Sequence, residues 1–183
     1  MALKPSLVLV GGGVRSGKSA FALTRAMALG DDRVFIATAQ AFDDEMRDRI
    51  DAHKRERAET FRTLEAPMSL TETLLGVAQG DVVLVDCLTL FVSNLLCTGL
   101  DDDEVASRFD ALLGALDTRT RHIVLVTNEV GLGIVPDNAL SRRFRDHAGT
   151  LHRRIAAVAD EVYFATMGVV LRLRPSPVET VVP

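Results

Sequence analysis

Residues 12–19 have the side-chain types and the spacing that point most directly to chemistry. They fit the pattern G-x-x-x-x-G-K-[ST], in which glycines let backbone N–H groups surround phosphate oxygens at a helix N-terminus. Lys18 is expected to reach the β- and γ-phosphates, and the Ser19 hydroxyl to ligate Mg²⁺. The residues predicted to contact a nucleotide here are Gly12, Gly13, Val14, Arg15, Ser16, Gly17, Lys18 and Ser19. The motif predicts a site for a nucleoside triphosphate.

The residues on either side of this motif support the prediction. Residues 6–10 form an apolar run typical of a buried strand, and residues 20–29 have helical spacing. Strand, loop and helix therefore follow one another in the order that a P-loop requires. A chance glycine-rich turn is the alternative, and it explains neither this context nor the Lys18-Ser19 pair.

A second nucleotide signal is Asp86, which ends the apolar run of residues 82–85. Phosphoryl transfer needs a further oxygen ligand that holds Mg²⁺ between the β- and γ-phosphates. We expect the strand that ends in Asp86 to lie beside the P-loop strand, where the carboxylate can supply that ligand. Many strands end in Asp for reasons of turn geometry alone. Because the chain also has a P-loop motif, we interpret Asp86 as the acidic residue that helps to hold Mg²⁺.

Residues 43–57 predict an exposed helix, because they lack Gly and Pro and contain pairs such as Glu45 and Arg49 at a spacing of four. One face of this helix carries Met46, Arg49, Ile50, His53 and Arg57. Spacing alone favours a solvated helix whose two apolar residues touch the core. Alternatively, His53 is a nucleophile, since neighbouring guanidinium groups keep an imidazole neutral and can hold phosphate oxygens.

The loop of residues 128–136 follows an apolar strand and contains two glycines and a carboxylate. Ligands of doubly wound sheets collect beyond the carboxyl ends of strands. A substrate loop that uses Asn128, Glu129 and Gly131 and a plain connector are equally good interpretations. The three remaining histidines are predicted to be structural; they are His122, His147 and His152.

Further apolar runs predict a mostly parallel sheet with helices on both faces. The predicted strands are residues 34–38, 82–85, 123–126 and 161–165, with residues 169–173 as an antiparallel edge. Ser69 with Glu72, Asp101 and Asn138 are predicted to cap helices. The helix after Asp101 has an apolar stripe of Val105, Phe109, Leu112, Leu113 and Leu116. The helix after Asn138 has a stripe of Leu140, Phe144, Leu151, Ile155 and Val158.

The composition limits the class of protein. A chain of 183 residues suits one domain, which we place at residues 1–174 with a frayed proline-rich tail at 175–183. A net charge of −4 argues against a nucleic-acid partner. No apolar run reaches the roughly 18 residues of a membrane span, and the N-terminus does not have the form of a signal peptide. Cys87 and Cys97 are expected to be reduced thiols of a cytoplasmic protein.

Five blocks of the sequence together resemble a known family, the bifunctional adenosylcobinamide kinases and adenosylcobinamide-phosphate guanylyltransferases of cobalamin assembly (the CobU/CobP type). They are G-G-x-R-S-G-K-S at 12–19, I-A-T-x-Q at 36–40, D-D-E-M…R-I-x-x-H at 43–53, R-T-x-E at 62–65 and V-T-N-E-V-G-x-G-I-V-P at 126–136. The P-loop alone is common to many functions. The histidine helix and the T-N-E-V-G loop are far more specific.

The resemblance implies two reactions: phosphorylation of adenosylcobinamide by ATP or GTP, then GMP transfer from GTP to the product through a guanylylated His53. It also implies a RecA-like P-loop fold, a homotrimer, and a corrinoid and a nucleotide as ligands. Guanine-nucleotide contacts then fall on the P-loop and on Thr38, Ala39, Gln40, Lys54, Arg55, Glu56, Arg57, Glu65 and Asp86. Where the family often has Trp, this chain has Phe61.

Two other functions fit the sequence less well. A P-loop kinase for another small molecule would use His53 as a phosphate clamp and would form no covalent GMP adduct. A nucleotide-gated binding protein would bind GTP without turnover, which would leave His53 and its arginines without a task.

Overall fold

The computed structural model describes residues 5–40 and 60–181, which contain eight strands and five helices. The strands are β1 (Leu7–Gly12), β2 (Arg33–Ala37), β3 (Arg62–Glu65), β4 (Val82–Asp86), β5 (His122–Asn128), β6 (Glu161–Thr166), β7 (Val169–Arg174) and β8 (Glu179–Val181). The helices are α1 (Lys18–Met27), α2 (Leu70–Gly76), α3 (Leu88–Cys97), α4 (Asp102–Asp117) and α5 (Ala139–Val158).

All eight strands form one sheet in the order β3-β2-β4-β5-β1-β6-β7-β8. The pairings from β3 to β6 are parallel, and β7 and β8 add an antiparallel end. The predicted α/β class with a mostly parallel sheet is confirmed. The expected position of β4 beside β1 is wrong, because β5 lies between them. Parallel strands are joined by long crossovers, so neighbours in the sheet need not be neighbours in sequence.

The two faces of the sheet bury separate apolar clusters because successive strand residues point to opposite faces. In β1, Val8 and Val10 face α1 and pack with its Phe21. Leu7 and Leu9 belong to the cluster on the other face, which includes residues of all four remaining helices. At about 25 cal/mol per Å² of buried apolar surface, these clusters are the main source of stability. The sheet thereby holds the strand ends at fixed relative positions.

The helix caps divide into two confirmed predictions and one that is wrong. Asp101 forms a capping box with Glu104, and Asn138 Oδ1 accepts from the Ser141 N–H. Ser69 begins α2 but makes no side-chain cap bond. Its φ of −105° and ψ of 37° depart from the extended backbone of a typical cap, and its Oγ instead lies 3.4 Å from Thr73 Oγ1.

The C-terminal region differs from the predicted tail. Residues 179–181 form β8, which pairs with β7 and is anchored by an ion pair of 2.5 Å between Glu179 and Arg172. β8, rather than β7, is therefore the outermost strand. At the two ends of the predicted α5 stripe, Leu140 and Val158 are half-exposed, since only the middle of this helix packs on the sheet. Among the described residues, no helix combines the length and apolar character that crossing a membrane requires.

Candidate active site

The P-loop connects the carboxyl end of β1 to the start of α1, as predicted. A Cβ at position 12 would lie 2.4 Å from the Ala165 carbonyl oxygen, so only glycine fits at this position. Gly17 immediately precedes α1 with a φ of 93°, a left-handed conformation that favours glycine. Two of the motif's glycines are therefore required by the path of the backbone. This path leaves the first N–H groups of α1 open to a ligand.

Two polar residues of the P-loop, Ser16 and Lys18, are buried, whereas Arg15 is exposed. Lys18 is only 8% exposed, and its Nζ donates to the Gly13 carbonyl oxygen at 3.2 Å, across the loop. The buried Ser16 hydroxyl finds no hydrogen-bond partner among the described residues. Ser19 is half-buried in the first turn of α1. A buried hydroxyl without a partner and an ammonium group that lies across the loop are groups that can bind phosphate oxygens.

Asp86 lies at the carboxyl end of β4, where hydrogen bonds tie its neighbours to β2. The Thr38 Oγ1 donates to the Cys87 carbonyl oxygen and accepts from the Cys87 N–H, both at 2.7 Å. The Asn94 Nδ2 donates to the carbonyl oxygens of Thr38 at 2.8 Å and of Pro67 at 2.9 Å. These bonds hold the backbone beside Asp86 in place. Thr38, predicted as a nucleotide contact, has a fully buried side chain whose hydroxyl serves the fold.

Glu65 lies at the end of β3 with an exposed side chain. The register pairs it with Ala37, which pairs in turn with Asp86. Glu65, Ala37 and Asp86 thus form one row across the strand ends, followed by the half-buried Ala39 and Gln40 on the loop after β2. The predicted contacts on β2, β3 and β4 therefore share one edge of the sheet.

The loop after β5 lies between the P-loop and Asp86. Asn128 is paired with Gly12, and its Nδ2 donates to Thr89 Oγ1 at 3.1 Å. The Glu129 N–H donates to the Gly12 carbonyl oxygen at 2.9 Å, and the Glu129 carboxylate accepts from the Gly131 N–H. Asn128 therefore contacts the segment after Asp86 and Glu129 contacts the P-loop. Gly131 bonds the Glu129 carboxylate instead, and its carbonyl oxygen accepts from Arg145.

The pKa of the Cys87 thiol is affected by burial and by neighbouring charges. Burial raises the pKa of its thiol, the Asp86 carboxylate raises it further, and the Thr89 hydroxyl and the Lys18 charge act in the opposite direction. The thiol is therefore protonated at neutral pH.

The remaining predicted site residues are those of the histidine helix, and the remaining structural predictions concern the three other histidines and Phe61. His53, Lys54, Arg55, Glu56 and Arg57 lie outside the described residues. The other three histidines have partners in the fold: His122 accepts from the Ser6 N–H, His147 pairs with Asp102, and His152 bonds Thr127. Burial lowers the pKa of His152, which the Glu129 charge partly offsets. Phe61 is buried edge-on against Phe35 at 6.2 Å.

Sequence analysis missed the hydrogen bonds that join the strand ends. Cys87, Thr89 and Asn94 do not belong to any phosphate-binding motif. Residues 88–97 are mostly apolar, so the sequence gives little sign that Thr89 and Asn94 make structural hydrogen bonds. The one sequence signal for these bonds is the presence of Thr89 and Asn94 within a mostly apolar segment, which is expected to be buried. Such residues need internal partners.

The fold and the site together define a P-loop NTPase of RecA-like architecture. A solved structure with this fold is an ATP synthase subunit from Nanoarchaeum equitans, NeqB, at a TM-score of 0.50 and 13% sequence identity. That similarity covers 90% of this chain and 46% of the other and concerns the fold alone.

A family model described as cobinamide kinase / cobinamide phosphate guanyltransferase matches residues 8–173. The chain belongs to this enzyme family.

Curated relatives agree with the assignment. The bifunctional adenosylcobalamin biosynthesis protein CobP of Pseudomonas aeruginosa is 44% identical over 92% of this chain and 98% of its own length. The proteins named CobU of Escherichia coli and Salmonella typhimurium are 38% and 40% identical, again over 92% of this chain and 99% of theirs. The predicted family resemblance is confirmed.

Proposed function

We propose that this protein phosphorylates adenosylcobinamide with ATP or GTP and then transfers GMP from GTP to the phosphate it has made. The observation that carries the proposal is the P-loop, with Lys18 bridged to Gly13 and the Ser16 hydroxyl buried without a partner. Asp86 and the loop after β5 lie on one side of the P-loop. Asp86 would supply the acid for Mg²⁺, and the loop would receive the phosphoryl acceptor. Membership of the family supplies the identity of the acceptor.

In the first reaction, the aminopropanol hydroxyl of adenosylcobinamide attacks the γ-phosphorus of the triphosphate. The bond between the γ-phosphorus and the bridging oxygen breaks, and the nucleoside diphosphate leaves. The hydroxyl proton passes to a base, for which Glu129 is our candidate because it begins the loop beside Gly12. Lys18 and the loop N–H groups stabilise charge on the phosphate oxygens. Such positioning and charge stabilisation supply most of the catalysis in phosphoryl transfer.

In the second reaction, the His53 imidazole attacks the α-phosphorus of GTP and pyrophosphate leaves. The phosphate of adenosylcobinamide phosphate then attacks the same phosphorus, the P–N bond breaks, and adenosylcobinamide-GDP is released with His53 regenerated. The role of His53 rests on the sequence motif at 43–53. Lys54, Arg55, Glu56 and Arg57, with Thr38, Ala39, Gln40 and Glu65, are proposed to hold the guanine nucleotide. Thr38 is proposed to act indirectly: its hydroxyl bonds the Cys87 backbone and so positions the neighbouring strand ends.

Mg²⁺ is proposed to lie between the phosphates, Ser19 and Asp86. A hydroxyl and a carboxylate are the hard oxygen donors that this ion prefers, and it ordinarily keeps phosphate and water oxygens at its other positions. When bound, it neutralises part of the triphosphate charge. Within residues 5–40 and 60–181, no three His, Cys, Asp or Glu side chains form a metal cluster.

The corrinoid is proposed to meet the loop after β5. This loop starts at Asn128 and Glu129 beside the P-loop and continues with Leu132, Ile134 and Val135, which are 83%, 96% and 64% exposed. An exposed apolar loop at this place fits an acceptor with a large, methyl-rich ring, since apolar surface gains free energy when it is covered.

We also propose a cytoplasmic enzyme that assembles as a homotrimer. The cytoplasm supplies the nucleoside triphosphates and keeps thiols reduced, and neither Cys87 nor Cys97 forms a disulfide. Light scattering coupled to size exclusion measures the number of subunits.

The proposal is tested by following both products with purified protein, Mg²⁺, adenosylcobinamide, ATP and GTP. Wild type should form adenosylcobinamide phosphate and then adenosylcobinamide-GDP. The His53→Ala variant should stop at the phosphate with triphosphate binding retained. Wild type that makes no corrinoid phosphate contradicts the first reaction, and a His53→Ala variant that still makes adenosylcobinamide-GDP contradicts the second.

A further inference from the structure

The turn between β6 and β7 lies directly against the P-loop and has no role in the function proposed above. A Cβ at position 12 would lie 2.4 Å from the carbonyl oxygen of Ala165 in β6. A Cβ at position 17 would lie 3.9 Å from the Cα of Gly168 in the turn. Both glycines therefore face this hairpin: the gap at Gly12 is too narrow for a Cβ, and a Cβ at position 17 would just reach the turn. The turn forms a wall beside the phosphate cradle.

This wall is apolar and exposed. Met167, at the tip of the turn, is 95% exposed, Val169 is 44% exposed, and Val14 on the neighbouring P-loop is 79% exposed. Met167 and Gly168 have φ angles of 52° and 78°. A two-residue hairpin turn with two positive φ angles favours Asn, Asp or Gly. A long apolar side chain at the first position is therefore unexpected for a turn with no task beyond its own geometry.

The order of the strands indicates which end of a nucleotide would reach this wall. Gly12 is paired on one side with Asn128 of β5 and on the other with Ala165 of β6. Asp86, Asn128 and the loop after β5, which we propose meets the corrinoid, all lie on the β5 side. The γ-phosphate has to face that side to meet the acceptor. The nucleoside end of the same triphosphate then points to the β6 side, toward Met167.

We propose that Met167, Val169 and Val14 form an apolar platform for the purine base of the phosphoryl donor. This inference rests on the kinase reaction proposed above. A thioether packs well on the face or edge of an aromatic ring, and none of the three side chains offers a hydrogen-bond donor that would read the edge of a base. The platform therefore accepts adenine and guanine alike.

With this platform, the base of the nucleotide would occupy a different place in each of the two reactions, although both use the same P-loop. The polar residues proposed for the guanine nucleotide, such as Gln40 after β2 and Glu65 at the end of β3, lie on the opposite side of β1. A donor for the kinase reaction places its base at β6 and β7. A GTP that delivers GMP places its base at β2 and β3. Selectivity for guanine then belongs to the second reaction.

The test is the Met167→Asn variant, because Asn removes the apolar side chain and adopts positive φ readily, which preserves the turn. KM for ATP and for GTP in corrinoid phosphorylation should rise by about tenfold for each, in line with the loss of one buried Met contact. The kcat and the binding of inorganic tripolyphosphate should be unchanged, as should KM for GTP in guanylyl transfer. Met167→Leu should restore most of the affinity.

The matched control is Leu75→Asn, which replaces another exposed apolar residue, in α2. It should leave every constant unchanged. Unaltered ATP binding in Met167→Asn overturns the platform, and so does an equal loss of ATP and tripolyphosphate binding. Both results are independent of the proposed function, which fails instead if wild type makes no corrinoid phosphate.

Discussion

The two sides of β1 are built in different ways. On the β5 side, the strand ends are joined by hydrogen bonds between uncharged groups, of which the pair between Thr38 and Cys87 is fully buried. On the β6 side, the ion pair of Arg25 with Glu161 ties α1 to the first strand of an antiparallel hairpin, and the turn of that hairpin exposes Met167. The first side fixes backbone positions closely, whereas the second presents an adaptable surface. The difference suits chemistry on one side and binding of the kinase donor's base on the other.

The ion pairs of the β6 side depend on pH in a way that the bonds of the β5 side do not. Burial raises the pKa of Glu161, but hydrogen bonds from Arg25 and Tyr163 and the Arg25 charge outweigh it, so the pKa lies below its ordinary value. Burial and the bond to Glu161 raise the pKa of Tyr163 to about 12. Thr38, Cys87 and Asn94 join β2, β4 and α3 through neutral groups at ordinary pH.

The largest effect is expected where the two sides meet, at Lys18. The Lys18→Ala variant should lose both reactions by about 3–4 kcal/mol of transition-state stabilisation, or roughly a thousandfold in kcat/KM. Steady-state kinetics on both products measures the loss, and circular dichroism checks that the variant folds. Activity within tenfold of wild type in either reaction would separate that reaction from the P-loop.

The next effect concerns the β5 side alone. The Asp86→Asn variant should lower kcat by about a hundredfold and raise the Mg²⁺ concentration needed for half-maximal rate, since one carboxylate ligand is lost. A magnesium titration of the kinase reaction measures both values. Asp146→Asn, on the outer face of α5, is the matched control. An unchanged magnesium dependence in Asp86→Asn would remove Asp86 from the metal site.

The Thr38→Val variant tests the rigidity of the β5 side. It leaves the Cys87 N–H and carbonyl oxygen buried without their partner, which should cost about 2 kcal/mol of unfolding free energy. Urea unfolding measures the loss, which should stay constant between pH 5 and pH 8, a range in which we expect none of these groups to titrate. Thr24→Val, which removes an exposed bond to Ala20, should change the free energy little. Equal effects of the two substitutions would show that the cross-strand bonds add no rigidity.

The smallest effect is expected on the β6 side, from Glu161→Gln. Because the folded-state pKa of Glu161 is lowered, its ionised form stabilises the fold above the ordinary pKa, and this stabilisation is lost as pH falls through the folded-state value. The variant should therefore lose about 1 kcal/mol at neutral pH, and the difference from wild type should vanish in acid.

Urea unfolding across pH 3–7 measures this trend. The Glu72→Gln variant is the control, since its ion pair with Arg108 is 3.4 Å long and exposed. A loss in Glu161→Gln that is independent of pH would contradict the assigned role of the charge.

Sequence could predict the parts of this site that one segment specifies by itself. The P-loop, the strand that ends in Asp86 and the caps at Asp101 and Asn138 each depend on residues close together in the chain. Other features depend on segments that are distant in the chain: the position of β5 between β1 and β4, the bond between Thr38 and Cys87, and the approach of the P-loop to the β6–β7 turn. Composition and periodicity do not encode such pairings. The short β8 was missed because its residues follow two prolines and are held by partners in β7.

The central claim is that one P-loop serves a phosphoryl transfer and a nucleotidyl transfer. It is tested most directly by incubating the protein with Mg²⁺ and GTP labelled at the α-phosphate, denaturing it, and repeating the experiment with γ-labelled GTP and with the His53→Ala variant. The account predicts an α-label on wild type that survives base and is lost in acid, as expected for a phosphoramidate. It predicts no label from γ-labelled GTP and none on His53→Ala. If wild type phosphorylates adenosylcobinamide but never retains the α-label, the claim of two transfers at one P-loop is contradicted. The protein would then be a kinase that does not transfer GMP through a histidine.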